Sequence, residues 1–119
     1  MFDWRDFLPF AERLALEADD EPSQRTAISR AYYAAYHVAA GYVRAKNLLP
    51  VRQSHGRVWE AIGADPDAGE SGMREKAERL RRRRIAADYR NPFPGDVGEQ
   101  AKAAVADARD VIEALERLR

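Results

Sequence analysis

The chain has 119 residues, 45% of them hydrophobic and 34% charged, enough for one modest core beneath a solvated surface. It contains no cysteine, which excludes a disulfide frame, a thiolate nucleophile and a cysteine-based zinc site, and suits a reducing compartment. Net charge is zero but uneven: residues 1–22 hold two arginines against seven acids, a net −5, while residues 70–90 hold eight Arg/Lys against four acids, a net +4.

Basic residues comprise 17 arginines and 3 lysines. Arginine grips phosphate bidentately, though an Ala- and Arg-rich composition also follows from a GC-rich genome. A basic helix on a neutral protein can hold phosphate without the whole molecule being drawn to nucleic acid. No apolar run approaches the roughly 20 residues of a membrane span. The start, Met1-Phe2-Asp3-Trp4-Arg5-Asp6, lacks the features of a signal peptide. The expectation is one cytoplasmic domain over residues 1–119, away from membranes.

Every periodic segment has a helical period. Trp4, Phe7, Ala11, Leu14 and Ala18 predict a first helix over residues 3–18. Pro9 inside it bends the first turn or delays the start to about residue 9. Glu21-Pro22-Ser23 opens a second helix. That helix carries two stripes, Ile28, Tyr32, Ala35, Ala39, Tyr42 and Tyr33, Tyr36, Ala40, Val43, so it should be central and buried. Leu48-Leu49-Pro50 ends it. Ser54 is set to cap a short third helix, His55 to Ile62, stopped by Gly63. Ala64 to Glu70 reads as loop.

A fourth helix is expected from Ser71 to Tyr89, with the stripe Met73, Ala77, Leu80, Arg84, Ala87. Arg90-Asn91-Pro92-Phe93-Pro94-Gly95 breaks it. Asp96 and Glu99 make a capping-box start for a last helix. Its stripe is Val97, Ala101, Ala104, Ala108, Val111, Leu115 and Leu118, and this Ala-rich row could extend into a dimer interface. No segment alternates with period two. The predicted fold is all-α, an antiparallel four-helix bundle plus one short helix.

The run Arg81-Arg82-Arg83-Arg84 sweeps about 300° of a helix at about 100° per residue, so it cannot form one flat patch. Arg84 alone falls on the core stripe. Asp88 follows four residues later, and Tyr89 after it. The pair reads either as a helix-surface ion pair worth about 0.2–0.5 kcal/mol, or as part of a site. Tyr32, Tyr33 and Tyr36 read first as core. Their hydroxyls need partners, and Arg30 or His37 can supply them. Arg30 is a surface residue or a second cation beside Arg84. His37 reads as a core histidine and His55 as a surface one. Neither a metal-ligand cluster nor a glycine-rich phosphate loop is present, so no metal and no cofactor are expected.

Ile28-Ser29-Arg30-Ala31-Tyr32-Tyr33-Ala34-Ala35-Tyr36-His37 resembles the second helix of small prokaryotic HEPN-domain proteins, which read Arg-Ala-Tyr-Tyr-Ala-Ala, an aromatic, then His. Ser54-His55-Gly56 resembles their short stretch between long helices. Arg84-x-x-Ala87-Asp88-Tyr89 resembles the Arg-x-x-Ala-Asp-Tyr signature of one branch. The resemblance covers nearly the whole chain. It implies a HEPN-like bundle that homodimerises across a cleft. It also implies metal-independent ribonuclease chemistry, in which an Arg stabilises the scissile phosphate and a His four to six residues on aids proton transfer. It further implies a role as a toxin paired with a nucleotidyltransferase-type antitoxin that, in some members, adds AMP to a tyrosine near the motif.

The chain departs from that pattern where the histidine belongs: Asp88 and Tyr89 stand at the spacing. A carboxylate beside arginines is held deprotonated, and a tyrosine is a poor base. Arg84, Asp88 and Tyr89 are therefore the catalytic candidates, and Arg30, Arg81, Arg83 and Arg84 the phosphate-binding ones. His37, His55 and Tyr33 are auxiliaries, with an imidazole supplied from another helix or subunit. The first reading is an RNA- or nucleotide-phosphate-binding toxin component with weak or altered ribonuclease activity. The second is a non-catalytic dimerising adaptor in which Arg84–Asp88 is a buried structural pair.

Overall fold

The structure, a computed structural model, describes residues 1–48, 55–69 and 72–118. A 3-10 turn over Trp4–Asp6 leads into α1, Phe7–Glu17. Then follow α2, Glu21–Ala45; α3, His55–Ala64; α4, a single turn over Pro66–Gly69; α5, Met73–Tyr89; and α6, Val97–Arg117. There is no strand among the described residues. The bundle is all-α, as the periodicities require.

Side-chain pairs fix the direction of each long helix. Arg109 on α6 meets Glu12 on α1, and Arg5 meets Glu116, so α1 and α6 are antiparallel. Arg25, early on α2, reaches the end of α5, where its Nη1 donates to the carbonyls of Ala87 at 3.1 Å and Arg90 at 2.7 Å. The pair α2/α5 is therefore antiparallel, and Arg25 satisfies orphan carbonyls at the negative end of the α5 dipole. Lys76–Asp110 and Arg83–Gln100 set α5 against α6 in the same sense. Four helices thus run up, down, up, down, with α2 and α6 parallel across the diagonal.

Burial follows the predicted stripes. On α2, Ile28, Tyr32, Ala35, Ala39 and Tyr42 are buried, and Tyr36, Ala40 and Val43 join them on a second face. On α6, Ala101, Ala104, Ala108, Val111 and Leu115 are fully enclosed by the chain's own helices. The Ala-rich row is thus spent on the intramolecular core and offers no surface for a second copy. Leu118 at its end is exposed.

Caps account for two starts. Asp20 accepts from the Ser23 amide at 2.9 Å, with Pro22 in the first turn of α2, and Asp96 accepts from the Glu99 amide at 3.0 Å. Three boundaries differ from expectation. The first α-helix begins at Phe7, because a proline in the first turn lacks only an N–H that has no intrahelical acceptor. Helix α3 passes through Gly63 to Ala64. The expected loop contains α4, since Pro66 opens a turn instead of breaking one. Gly69 closes that turn, and a Cβ there would lie 2.6 Å from the Gly63 carbonyl oxygen, so only glycine fits. The Ser54 cap, the Leu49-Pro50 stop, the Ser71 start and Glu70 lie outside the described residues. The α5–α6 link holds a cis Asn91–Pro92 bond and Gly95 at φ +99°.

A buried carboxylate ties the far end of α2 to the α3–α4 junction. Asp65 accepts from the Tyr42 hydroxyl at 2.5 Å, from Lys46 Nζ at 3.1 Å and from the Ala68 amide at 3.3 Å. The Tyr42 hydrogen bond, ahead of Lys46, holds the Asp65 carboxyl below its ordinary value of 3.8. A depressed carboxyl stabilises the fold above its unfolded pKa and loses that contribution as pH falls through the folded one. Asp65→Asn should lower unfolding free energy by about 1.5–3 kcal/mol at pH 7, the scale of hydrogen bonds to a charged group. The gap from wild type should narrow as pH falls through 3.8 and close once it passes the depressed folded value. Urea denaturation over a descending pH series checks this.

Candidate functional site

The antiparallel α2–α5 seam brings the tyrosine-rich face of α2 against the arginine-rich end of α5. Arg84 follows Leu80 along the buried row of α5 and precedes Ala87. Its side chain is 13% exposed, with the guanidinium 5.2 Å from the Tyr32 ring centre and 5.8 Å from that of Tyr33. Both distances suit a cation–π contact. Arg84 Nε is buried with no hydrogen-bond partner among the described residues. Its Nη1 stands 3.7 Å from Asp88 Oδ2, too long for a hydrogen bond, and Asp88 is 30% exposed. Arg84 and Asp88 are therefore not a closed buried pair. Leaving a buried N–H unpaired costs about 1–3 kcal/mol, more on a charged group, so this guanidinium is held in an under-satisfied position.

Tyr32 beneath Arg84 is fully buried, and its hydroxyl is paired within the protein. Trp59 Nε1, from α3, donates to it at 3.1 Å, and His55 Nδ1, also from α3, lies 3.1 Å away. Indole can only donate. The arrangement that satisfies all three groups sends the tyrosine's own hydrogen to His55 Nδ1. A neutral His55 then carries its proton on Nε2, as an N–H donor. Its ring stacks on Tyr36 at 3.8 Å. Burial first, then Arg84 and Arg81, push the imidazole below its ordinary 6.5. At neutral pH it is uncharged.

The α3 N-terminus thus lies against α5. A Cβ added to Gly56 would sit 3.4 Å from Arg81 Nη1, in ordinary contact, so the guanidinium lies directly over this first turn of α3. Arg81 lines a groove of about 240 Å³ with Gly56, Trp59 and Glu60. Arg30 lies 4.9 Å from the Tyr33 ring centre, so Arg30 and Arg84 share one ring. Two guanidiniums, a third at Arg81, an imidazole N–H and the positive end of α3 converge on one wall. Such a wall suits an anion with several oxygens. Among the described residues no carboxylate, histidine and cysteine group is placed to hold a metal ion.

The structure separates the other candidates. Arg83 turns to α6, where Nη1 donates to Asp107 at 2.7 Å and Nε to Gln100 at 2.7 Å. Asp107 also takes Arg79. Burial raises the Asp107 carboxyl, but the two arginines outweigh it, and it ends below 3.8. Arg83 is placed as a scaffold residue, away from Arg84. Tyr89 is 75% exposed at the end of α5. His37 lies under Trp4, rings 3.7 Å apart, with burial first and then His55, Arg44 and Arg30 lowering its pKa. Neither Arg30 nor His37 serves the Tyr32 hydroxyl. His55 and Trp59 do.

Sequence reasoning placed His55 at the surface and passed over Trp59. The available signal was the Ser54-His55-Gly56 segment, and the contact depends on a fold of α3 that periodicity does not encode.

The HEPN domain model matches residues 11–118. The chain belongs to the HEPN family. No curated protein and no solved structure matches it. Among the described residues, this HEPN chain has no helix long and apolar enough to cross a membrane. Across its α2–α5 seam, Tyr32 and Tyr33 meet Arg84.

His55 should titrate below 6.5 by NMR, and Arg84→Ala should move its pKa upward, because a cation that disfavours imidazolium has been removed. An unchanged midpoint would place the guanidinium elsewhere in solution.

Proposed function

We propose that this HEPN protein binds the phosphodiester backbone of RNA at Arg84, Arg81, Arg30 and His55. It acts as the toxin-type component of a toxin–antitoxin pair, with ribonuclease activity weaker than an Arg–His motif would give. The observation that carries this is the buried, unpartnered Arg84 Nε beside the His55 ring. Arg84 donates to a non-bridging phosphate oxygen and stabilises the charge that builds there during strand cleavage. Arg81 and Arg30 hold neighbouring phosphates.

His55 contributes a neutral Nε2–H. In that tautomer it donates a hydrogen bond and cannot abstract a proton from a 2′-hydroxyl at neutral pH. Attenuated cleavage follows from the same network. Below the His55 pKa the imidazolium adds a charge and becomes an acid for the departing 5′-oxygen. Asp88 keeps Arg84 oriented from the solvent side. Tyr89, exposed one residue further, is open to modification by a nucleotidyltransferase antitoxin. A homodimer in the cytoplasm would set two such walls across a cleft. The second reading, a non-catalytic dimerising adaptor, is favoured less here, since the Ala row is buried within one chain and Arg84 stands 3.7 Å from Asp88.

Arg84→Ala should weaken binding to single-stranded RNA about tenfold to a hundredfold, the loss expected for charge-assisted hydrogen bonds, and abolish growth inhibition on expression. Its helical circular dichroism should persist. Arg84→Lys, which keeps charge but not the planar fork, should recover little. Wild-type RNA affinity in Arg84→Ala would refute the assignment. Wild-type RNA binding should also tighten as pH falls through the His55 pKa, and His55→Phe should remove that dependence while His37→Phe retains it. Anisotropy titrations on either side of the His55 midpoint measured by NMR decide.

A further inference from the structure

We propose that Trp4 and Phe2 form a base-stacking subsite for an unpaired nucleotide of the RNA held at Arg84. The proposal rests on the phosphate-binding reading and adds what that reading lacks, a contact for the base. These residues precede the matched region, 11–118.

Three observations point to a platform and not a loose end. The Trp4 indole lies nearly parallel on His37, rings 3.7 Å apart at 17°, while remaining 44% exposed. Phe2 meets Trp4 edge-on at 5.3 Å and is 54% exposed. Large rings left open to water beside a cationic wall are the signature of stacking surfaces for single strands. Second, the ledge is pinned. Asp3 accepts from the Arg5 amide at 3.0 Å, and Arg5 bridges Asp3 to Glu116 of α6 at 2.5 Å. Exposed ion pairs add little stability, but these fix the turn that carries Trp4. Third, the ledge is continuous with the site. His37 neighbours Tyr36 and Tyr33, the rings that carry His55 and Arg84, and Arg30 lies between Phe7 and Tyr33.

The charges sort the strand. Asp3 and Glu116 line the ledge with Arg5 paired between them, so its charges are already matched, whereas its ring faces accept any base. The backbone therefore follows Arg30 and Arg84, and a base turns out onto Trp4. An open groove of about 320 Å³ beside Phe2, Trp4 and His37 leaves room for it. Stacking carries little sequence information, so the ligand class is an unpaired nucleotide without a fixed base.

The test uses the full chain and a short, fluorescently labelled, 2′-O-methylated single-stranded RNA, which cannot be cleaved through its 2′-oxygen. Trp4→Ala should weaken binding about fivefold to a hundredfold, and Trp4→Phe should keep most of the affinity. Inorganic pyrophosphate, which has no base, should compete equally well at wild type and Trp4→Ala. If Trp4→Ala binds RNA like wild type while Arg84→Ala does not, the ledge is refuted and the phosphate site stands. If Arg84→Ala binds like wild type, the phosphate site falls. If Trp4→Ala changes only the oligomeric state measured by light scattering, the ledge is a protein contact and the proposal is overturned.

Discussion

A phenol with no solvent access has to find its hydrogen-bond partners inside the protein, and Tyr32 meets that constraint by drawing α3 onto the α2–α5 seam. Trp59 gives its N–H to the Tyr32 oxygen, and His55 Nδ1 takes the Tyr32 hydrogen. Both come from one short helix, spaced four residues apart, so a single face of α3 satisfies a single hydroxyl. The ring below that hydroxyl also receives the Arg84 guanidinium. Packing, polar satisfaction and the placing of a cation beside an imidazole thus share one side chain. Breaking the hydroxyl network would release α3 and the imidazole together.

The arginine run shows how a helix divides identical residues into different tasks. Arg83, with Arg79, turns to α6 and neutralises the buried Asp107. Arg81 lies against Gly56 of α3. Arg82 is exposed. Arg84 alone takes the core-facing position, where tyrosine faces replace a carboxylate as its main neighbours. Scaffold arginines are matched by acids at hydrogen-bond distance, and Arg84 is not. The matched ones tie α5 to α6, whereas Arg84 lies over ring faces with its Nε unpartnered among the described residues.

Much of this was readable in the sequence, for physical reasons. The α6 stripe repeats every three or four residues over five turns, and Asp96 supplies the cap, so both face and start are local properties. Arg84 stood out because a charge on an apolar row is anomalous on any fold. The partner of the Tyr32 hydroxyl was not readable. It is decided by how α3 packs against α2, a tertiary outcome without a local periodicity. Pro66 and Gly63 misled in the same way. Each has two meanings, helix start or break and helix stop or close approach, and only the neighbour across space chooses between them.

Placing an imidazole on a different helix from the arginine has a chemical consequence. When both groups occupy one helix, rotation and spacing set their separation, and the second ring nitrogen is free to be held by whatever lies behind. Here the ring arrives from α3 already committed at Nδ1 to a buried phenol, and burial keeps it neutral. On the proposed reading, such a site would grip phosphate better than it moves a proton at neutral pH, and its chemistry would follow acidity: protonation would add a cation to the wall and supply an acid to the leaving oxygen. An Arg84 matched by a close carboxylate would forfeit that, because the paired charge would cancel the field that both lowers the imidazole's pKa and attracts the strand.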